Sequence, residues 1–338
     1  MATLGGTVLN IADWAKRLDP NGNTSEVINL LSQDNEILTD MLFMEANGPT
    51  SHRSTRITGE PTVAFRTLNA GVTPSKATTD QVDDTMGIIE TYSEIDKDLC
   101  ELNGNTASFR LSEERPFLSA INKLAAETLI YGNTNTSPEK FLGFAPRFSA
   151  LTSGNYDNSM ITAGGSGSDN TSIWMVVWGQ NTVHGIFPKG SKAGIVQEDK
   201  GVVTVETATG IGGGRMEAYR TRWQWKLGLS VRDWRYVVRI CNIDTSLLVA
   251  NSSPVDLINL MSRMFDRIPS FGMGRPVIYC NRTVFSWLRV QALAKSNYAL
   301  DAVSALDQFG NPISGGLNFM GVPIRRVDQI LANEATIA

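Results

Sequence analysis

The clearest alternation of apolar and polar residues lies in "RWQWKLGLSVRDWRYVVRI", Arg222 to Ile240. Trp223, Trp225, Leu227, Leu229 and Val231 fall on one face of a period-2 segment, and Arg222, Gln224, Lys226, Gly228, Ser230 and Arg232 fall on the other. That is the pattern of a half-buried strand. After Asp233 the phase inverts. Trp234, Tyr236, Val238 and Ile240 take over the apolar face while Arg235 and Arg239 point away, which predicts a bulge or turn near Asp233. A second alternating stretch sets Glu90, Tyr92, Glu94, Asp96 and Asp98 on one face against Ile89, Ile95 and Leu99 on the other. "IWMVVWG" is a continuous apolar run of strand length and predicts a strand buried on both faces. "PVIYC" and the closing "LNFMGVPIRRVDQIL" each predict one further strand.

Helical spacing recurs along the chain. Thr24 or Ser25 caps a first candidate helix carrying Val27, Leu30 and Leu31. The strongest is "RLSEERPFLSAINKLAAETLIYGN", with Ser112 as its expected cap, Glu113 and Glu114 in the first turn, and Pro116 tolerable only near the start. Phe117, Ile121 and Leu124 form its apolar stripe, and Gly132-Asn133 stops it. "VDLINLMSRMFDRI" predicts a helix capped by Ser253, with Pro254 at its first position, and another begins near Asn281. Between them, "TSHRSTRITGEPTVAFRTLNAGVTPSK" reads as a hairpin of two β-favouring runs around a Gly59-Glu60-Pro61 turn. It is sparse in apolar residues, and isolated two-stranded ribbons are marginal in water, so it is expected to lean on another surface. The pattern is α+β, with an extended N-terminal third and a compact C-terminal domain.

Composition narrows the function more than the fold. At 338 residues, 42% hydrophobic and 19% charged, the chain is expected to fold into roughly two domains. A net charge of −4 argues against a dedicated nucleic-acid binder. A stacking platform needs aromatic and basic groups on the same face, whereas Arg222 to Ile240 puts them on opposite faces. No run approaches the ~20 apolar residues of a membrane span, and the N-terminus lacks an apolar signal core. The expectation is a cytoplasmic protein without a membrane partner. Cys100, Cys241 and Cys280 are isolated, and only His52 and His184 could join them, so neither a metal site nor a disulfide framework is expected. In "GIFPKGSK" Ser191 precedes Lys192, which breaks a phosphate loop, and "GIGGGR" lacks the last glycine of a dinucleotide loop. The crowded carboxylates from Glu90 to Asp98 lack the apolar pocket a glycosidase acid needs. Neither catalysis nor a cofactor has support, and the chain is read as a non-enzyme.

The order of segments resembles the major capsid proteins of tailed phages, the Hong Kong 97-type fold. The resemblance rests on "EIDKDLCELNGNTASFRLSEERPFLSAINKLAAETLIYGN" with "EKFLGFAPR", on "NTSIWMVVWGQNTVHGIFPKGSKAG", on "RDWRYVVRICNID", and on the terminal "FMGVP". It implies an N-terminal arm and helix over 1–49, an extended loop over 50–81, and a peripheral domain over 82–163 with its spine helix at about 112–132. An axial domain over 164–316 and a return to the periphery over 317–338 complete it. It also implies assembly of copies into hexamers and pentamers of an icosahedral head, and sequence-independent contact with packaged DNA. A separate scaffold, decoration, portal or head-completion protein is a further candidate partner. The loop carries only Lys76, at its base, so no cross-linking residues are assigned. An encapsulin-type nanocompartment shares the fold and is the alternative.

Charge suggests where copies meet. Asp80 to Glu101 holds eight acids and one lysine, a formal −7, while the hairpin is basic. A projecting loop is not expected to neutralise the strand at its own base. His52, Arg53, Arg56 and Arg66 are therefore expected to face Asp83, Asp84, Glu90, Glu94, Asp96 and Asp98 of an adjacent copy.

Overall fold

The computed structural model describes residues 35–102, 106–151, 159–206, 214–250, 255–293 and 317–338, with short strands at 300–301, 305–306 and 312–313. The helix expected after Thr24, the expected cap Ser253 and most of "GIGGGR" lie outside these residues. In chain order the elements begin with α1 (Ile37–Asp40), β1 (Phe43–Glu45), β2 (Ser51–Gly59), β3 (Thr78–Asp96), α2 (Lys97–Glu101), α3 (Thr106–Tyr131) and α4 (Phe144–Arg147). Then come β4 (Met160–Thr162), β5 (Asn170–Trp178), β6 (Val183–Phe187), β7 (Ile195–Glu206), β8 (Arg215–Val231), a 3-10 turn (Trp234–Tyr236) and β9 (Val237–Asp244). After α5 (Thr245–Ala250), α6 (Leu257–Phe265), β10 (Arg275–Cys280) and α7 (Arg282–Leu293) follow β11 (Leu300–Asp301), β12 (Ala305–Leu306), β13 (Pro312–Ile313), β14 (Leu317–Phe319) and β15 (Val322–Arg326). The fold is α+β, as the pattern implies. The described residues form two compact units, those within 88–125 and 194–226, and those within 35–87, 126–193 and 227–338. The units interleave along the chain, because β3, α3 and β8 each contribute to both; the contiguous spans expected above divide the chain differently.

The larger unit is organised around β5, every residue of which is buried. It runs antiparallel between β10 and β9, with β15 parallel on the far side of β10 and β4 parallel on the far side of β9. A strand covered on both faces has no polar side to display, hence the unbroken Ile173–Trp178 run. Helix α6 buries Leu257, Leu260, Met261 and Met264, one stripe at i, i+3, i+4 and i+7. Its cap is Asp256, whose carboxylate accepts from the Asn259 N–H at 3.1 Å, rather than the expected Ser253. Asn281 caps α7 through the Val284 N–H at 2.9 Å, as expected. The closing segment is a hairpin, β14 and β15, not one strand. Met320 and Gly321 turn it with φ of 49° and 82°, a two-residue turn that the glycine makes inexpensive.

Arg239 departs from expectation. It does not point away but is buried, with Nη2 on Glu334 Oε2 at 2.9 Å, Nη1 on the Phe148 carbonyl at 2.7 Å and Nε on Ser172 Oγ at 3.0 Å. Its guanidinium stacks on Trp174 at 4.7 Å. Glu334 comes from the C-terminal segment, which Asn242 also grips by both its amide N–H and its carbonyl oxygen at Ile337. A distant acid, not solvent, satisfies this arginine.

In the smaller unit, α3 starts well before Ser112. That residue lies inside the helix, its hydroxyl donating to the Phe109 carbonyl at 2.8 Å, and Pro116 is internal. Phe109 explains the extension: it is buried with Ile95, Leu99 and Cys100, so packing holds the turns that precede the proline. The alternation in β8 matches the expected faces as far as Lys226, with Trp223 and Trp225 buried and Arg222, Gln224 and Lys226 half-exposed. Beyond it Gly228 and Ser230, expected on the polar face, are buried, because β6 and β3 cover that end of the strand. The phase inversion at Asp233 is the 3-10 turn, capped when the Asp233 carboxylate accepts from the Arg235 N–H.

Candidate functional site

The hairpin has a different second strand from the one expected. Residues 60–77 contain no strand, and β2 pairs instead with the start of β3. The register sets Arg53 opposite Asp83, Arg56 opposite Asp80 and His52 opposite Asp84. Because cross-strand partners share one face, the acids of β3 fall within reach of the arginines of β2. Arg53 makes a two-point pair with Asp83, both contacts 2.8 Å, and Arg56 reaches Asp80 at 3.4 Å. The fork raises the Arg53 pKa and lowers that of Asp83, the hydrogen bond being the larger cause in each. Asp84 is buried and pairs with Arg147 of α4 at 2.8 Å. The expectation that the loop cannot neutralise the strand at its base is therefore corrected: the chain's own register does so.

Within the smaller unit the acidic face is matched as well. Glu90 receives Arg222 Nη2 at 2.8 Å, the Tyr92 hydroxyl at 2.6 Å and Gln224 Nε2 at 2.5 Å. Chiefly through the Arg222 hydrogen bond, its pKa falls to about 2. Glu94 receives Arg220 Nε at 2.7 Å. Asp96 caps α2 by accepting from the Asp98 N–H at 2.9 Å, and Asp98 sits exposed in that first helical turn. The two polar faces of β3 and β8, each legible in the sequence, are thus each other's partners. Opposite charge at period-2 positions of two strands was the available signal, and it points to Arg220 and Arg222.

What the loop lacks is apolar cover. Val63, Phe65 and Leu68 are 92%, 106% and 96% exposed, and Ile57 and Val72 are exposed beside them. Arg66 Nε donates to the Ala70 carbonyl at 2.8 Å, and Ser75 Oγ to the Thr62 carbonyl at 2.9 Å, so the loop is tied only to itself there. Loops longer than about 12–15 residues without regular structure are uncommon and are usually either functional or linker segments. Burying three such side chains is worth about 1.5–3 kcal/mol each. The candidate surface is therefore this loop, and its chemistry is apolar rather than ionic. Among the described residues no group of metal-ligating side chains gathers, and no helix is long and apolar enough to cross a membrane.

The family described as major capsid protein GP7 matches residues 19–338. No curated protein matches the chain significantly. A chain in the near-atomic cryo-EM structure of bacteriophage Epsilon15 shares 34% identity, with a TM-score of 0.75 over 100% of this chain and 99% of that one. A bacteriophage JBD30 capsid chain, 8% identical, gives a TM-score of 0.47 over 89% and 92%. The SrpI encapsulin of Synechococcus elongatus, also 8% identical, gives 0.42 over 69% and 96%. Those two scores are too low to favour one kind of shell over the other.

Proposed function

The chain belongs to the major capsid protein GP7 family, a tailed-phage major capsid protein of the Hong Kong 97-type fold, and we propose that copies of it join through the extended loop of residues 60–77. Self-association into a shell comes with the family. The arrangement as hexamers and pentamers of an icosahedral head around the genome is our reading, as is assembly in the host cytoplasm. The role is structural and not enzymatic.

The observation that carries the loop's part is the full exposure of Val63, Phe65 and Leu68 on a segment whose polar contacts are internal. A monomer gains nothing by presenting them to water, whereas a neighbouring copy that covers them gains their burial at each repeat of the contact. The ion pairs at the loop's root then act within the subunit. They hold the two strands in register so that the loop leaves the body in a fixed direction. Exposed pairs are each worth only about 0–1 kcal/mol, which suits orientation better than adhesion.

Hydrogen exchange tests this reading. Amides of residues 60–77 are expected to exchange freely in unassembled subunits and to become protected in assembled shells. Equal exchange in both states would remove the loop from the contact.

A further inference from the structure

Next to the loop's root lies a group of buried polar side chains that neither shell-building nor the core accounts for. His184 of β6 is almost wholly buried, and apart from a weak approach to the Gly179 backbone neither of its ring nitrogens finds a partner. Its cross-strand partner on β8 is Ser230, whose hydroxyl is also buried without a partner. The His52 ring of β2 packs edge-on against His184, with centroids 5.7 Å apart at 82°. His52 Nδ1 accepts from the Asn47 N–H at 3.3 Å, which leaves the proton of the neutral ring on Nε2, a buried atom with no acceptor. Asp84 faces His52 from β3 with one carboxylate oxygen on Arg147 and the other unpaired. Gly228 shows how tightly the β2–β3 ribbon lies on β8: a Cβ there would stand 2.7 Å from the Thr85 carbonyl oxygen and 2.9 Å from Met86 Cγ.

We propose that the His52–His184 contact is an acid-labile latch that fixes the root of the loop to the body of the larger unit. With both rings neutral the contact is uncharged and close-packed. Protonation places positive charge on adjacent rings in a space that already holds Arg147 and Arg232 against the single negative charge of Asp84. One carboxylate cannot balance four cations, so repulsion wins and β2 parts from β6. Burial, then the charges of His52 and Arg232, pull the His184 pKa from the ordinary 6.5 to about 4, with Asp84 opposing. Burial and Arg232 lower that of His52. The sign follows. A histidine held below its released value favours the closed latch fully above about pH 6.5 and loses that preference as the pH falls toward about 4.

The test is hydrogen exchange of the full chain at pH 7 and pH 5, corrected for intrinsic rates. Opening of the β2 amides from Ser51 to Ile57 is expected to rise at least about tenfold at pH 5, the linkage of a group with this shift, while the amides of β5 stay unchanged. In the double variant His52→Gln and His184→Gln the rise is expected to vanish. No rise in the wild-type chain, or a rise that persists in the double variant, would overturn the latch. Should the double variant fail to fold, imidazole NMR of the wild type decides, since the sequence has only two histidines. A ring that titrates well below 6 supports the latch, and two rings titrating near 6.5 overturn it.

Discussion

Replacing Arg239 with methionine keeps an unbranched side chain against Trp174 but withdraws every donor from a buried site. The pair it breaks is deeply buried, with side-chain exposures of 4% for Arg239 and 6% for Glu334. Removing one member leaves the Glu334 carboxylate without its cation, and also deprives Ser172 and the Phe148 carbonyl of a donor. Breaking such a pair from one side costs about 3–5 kcal/mol, most of it the stranded charge. The Tyr131 hydroxyl, donating to Glu334 Oε1 at 2.5 Å, is too weak a partner to replace a guanidinium. Adding Glu334→Gln removes the stranded charge and is expected to recover more than half of that loss. Urea unfolding of unassembled subunits, followed by tryptophan fluorescence, gives both numbers if the slopes agree. A loss below about 1 kcal/mol for Arg239→Met, or a double variant whose losses simply add, would mean that this ion pair does not hold the C-terminal segment in place.

Two further outcomes follow from the strand faces and their charges. Trp225→Ala is expected to cost about 3–5 kcal/mol while Lys226→Ala stays near wild type in the same urea experiment; the reverse order would mean the faces of β8 are misassigned. Arg222→Gln should lower stability at neutral pH by an amount that shrinks as the pH falls from about 4.5 toward 2, since the depressed Glu90 carboxyl contributes only while it is ionised and the released group titrates first. A deficit constant across that range would contradict the pairing.

Much of this fold is legible in the sequence wherever burial sets the pattern. The faces of β8, the continuous run of β5 and the stripe of α6 are each a local periodicity that one packing surface imposes. The misreadings share another cause. The second strand of the hairpin, the early start of α3 and the burial of Arg239 each depend on a partner remote in sequence: β3 for β2, Ile95 and Leu99 for Phe109, Glu334 for Arg239. The periodicity of a segment does not mark a partner that lies on another element. The candidate site divides in the same way. Its charged residues are visible as composition, but their pairing depends on strand register, so Arg53 and Arg56 look unneutralised until Asp83 and Asp80 are seen across from them. Val63, Phe65 and Leu68 look unremarkable in sequence, since three apolar residues in a hairpin are ordinary until nothing covers them.

The most direct test of the account is a near-atomic reconstruction of the shell assembled from this chain, examined at Phe65. The account predicts closed particles in which Val63, Phe65 and Leu68 are buried against a neighbouring copy while Arg53–Asp83 and Arg56–Asp80 stay paired within each subunit. Particles in which these three side chains remain in solvent or fold back on their own subunit, with the arginines reaching across to a neighbour's acids, would contradict it.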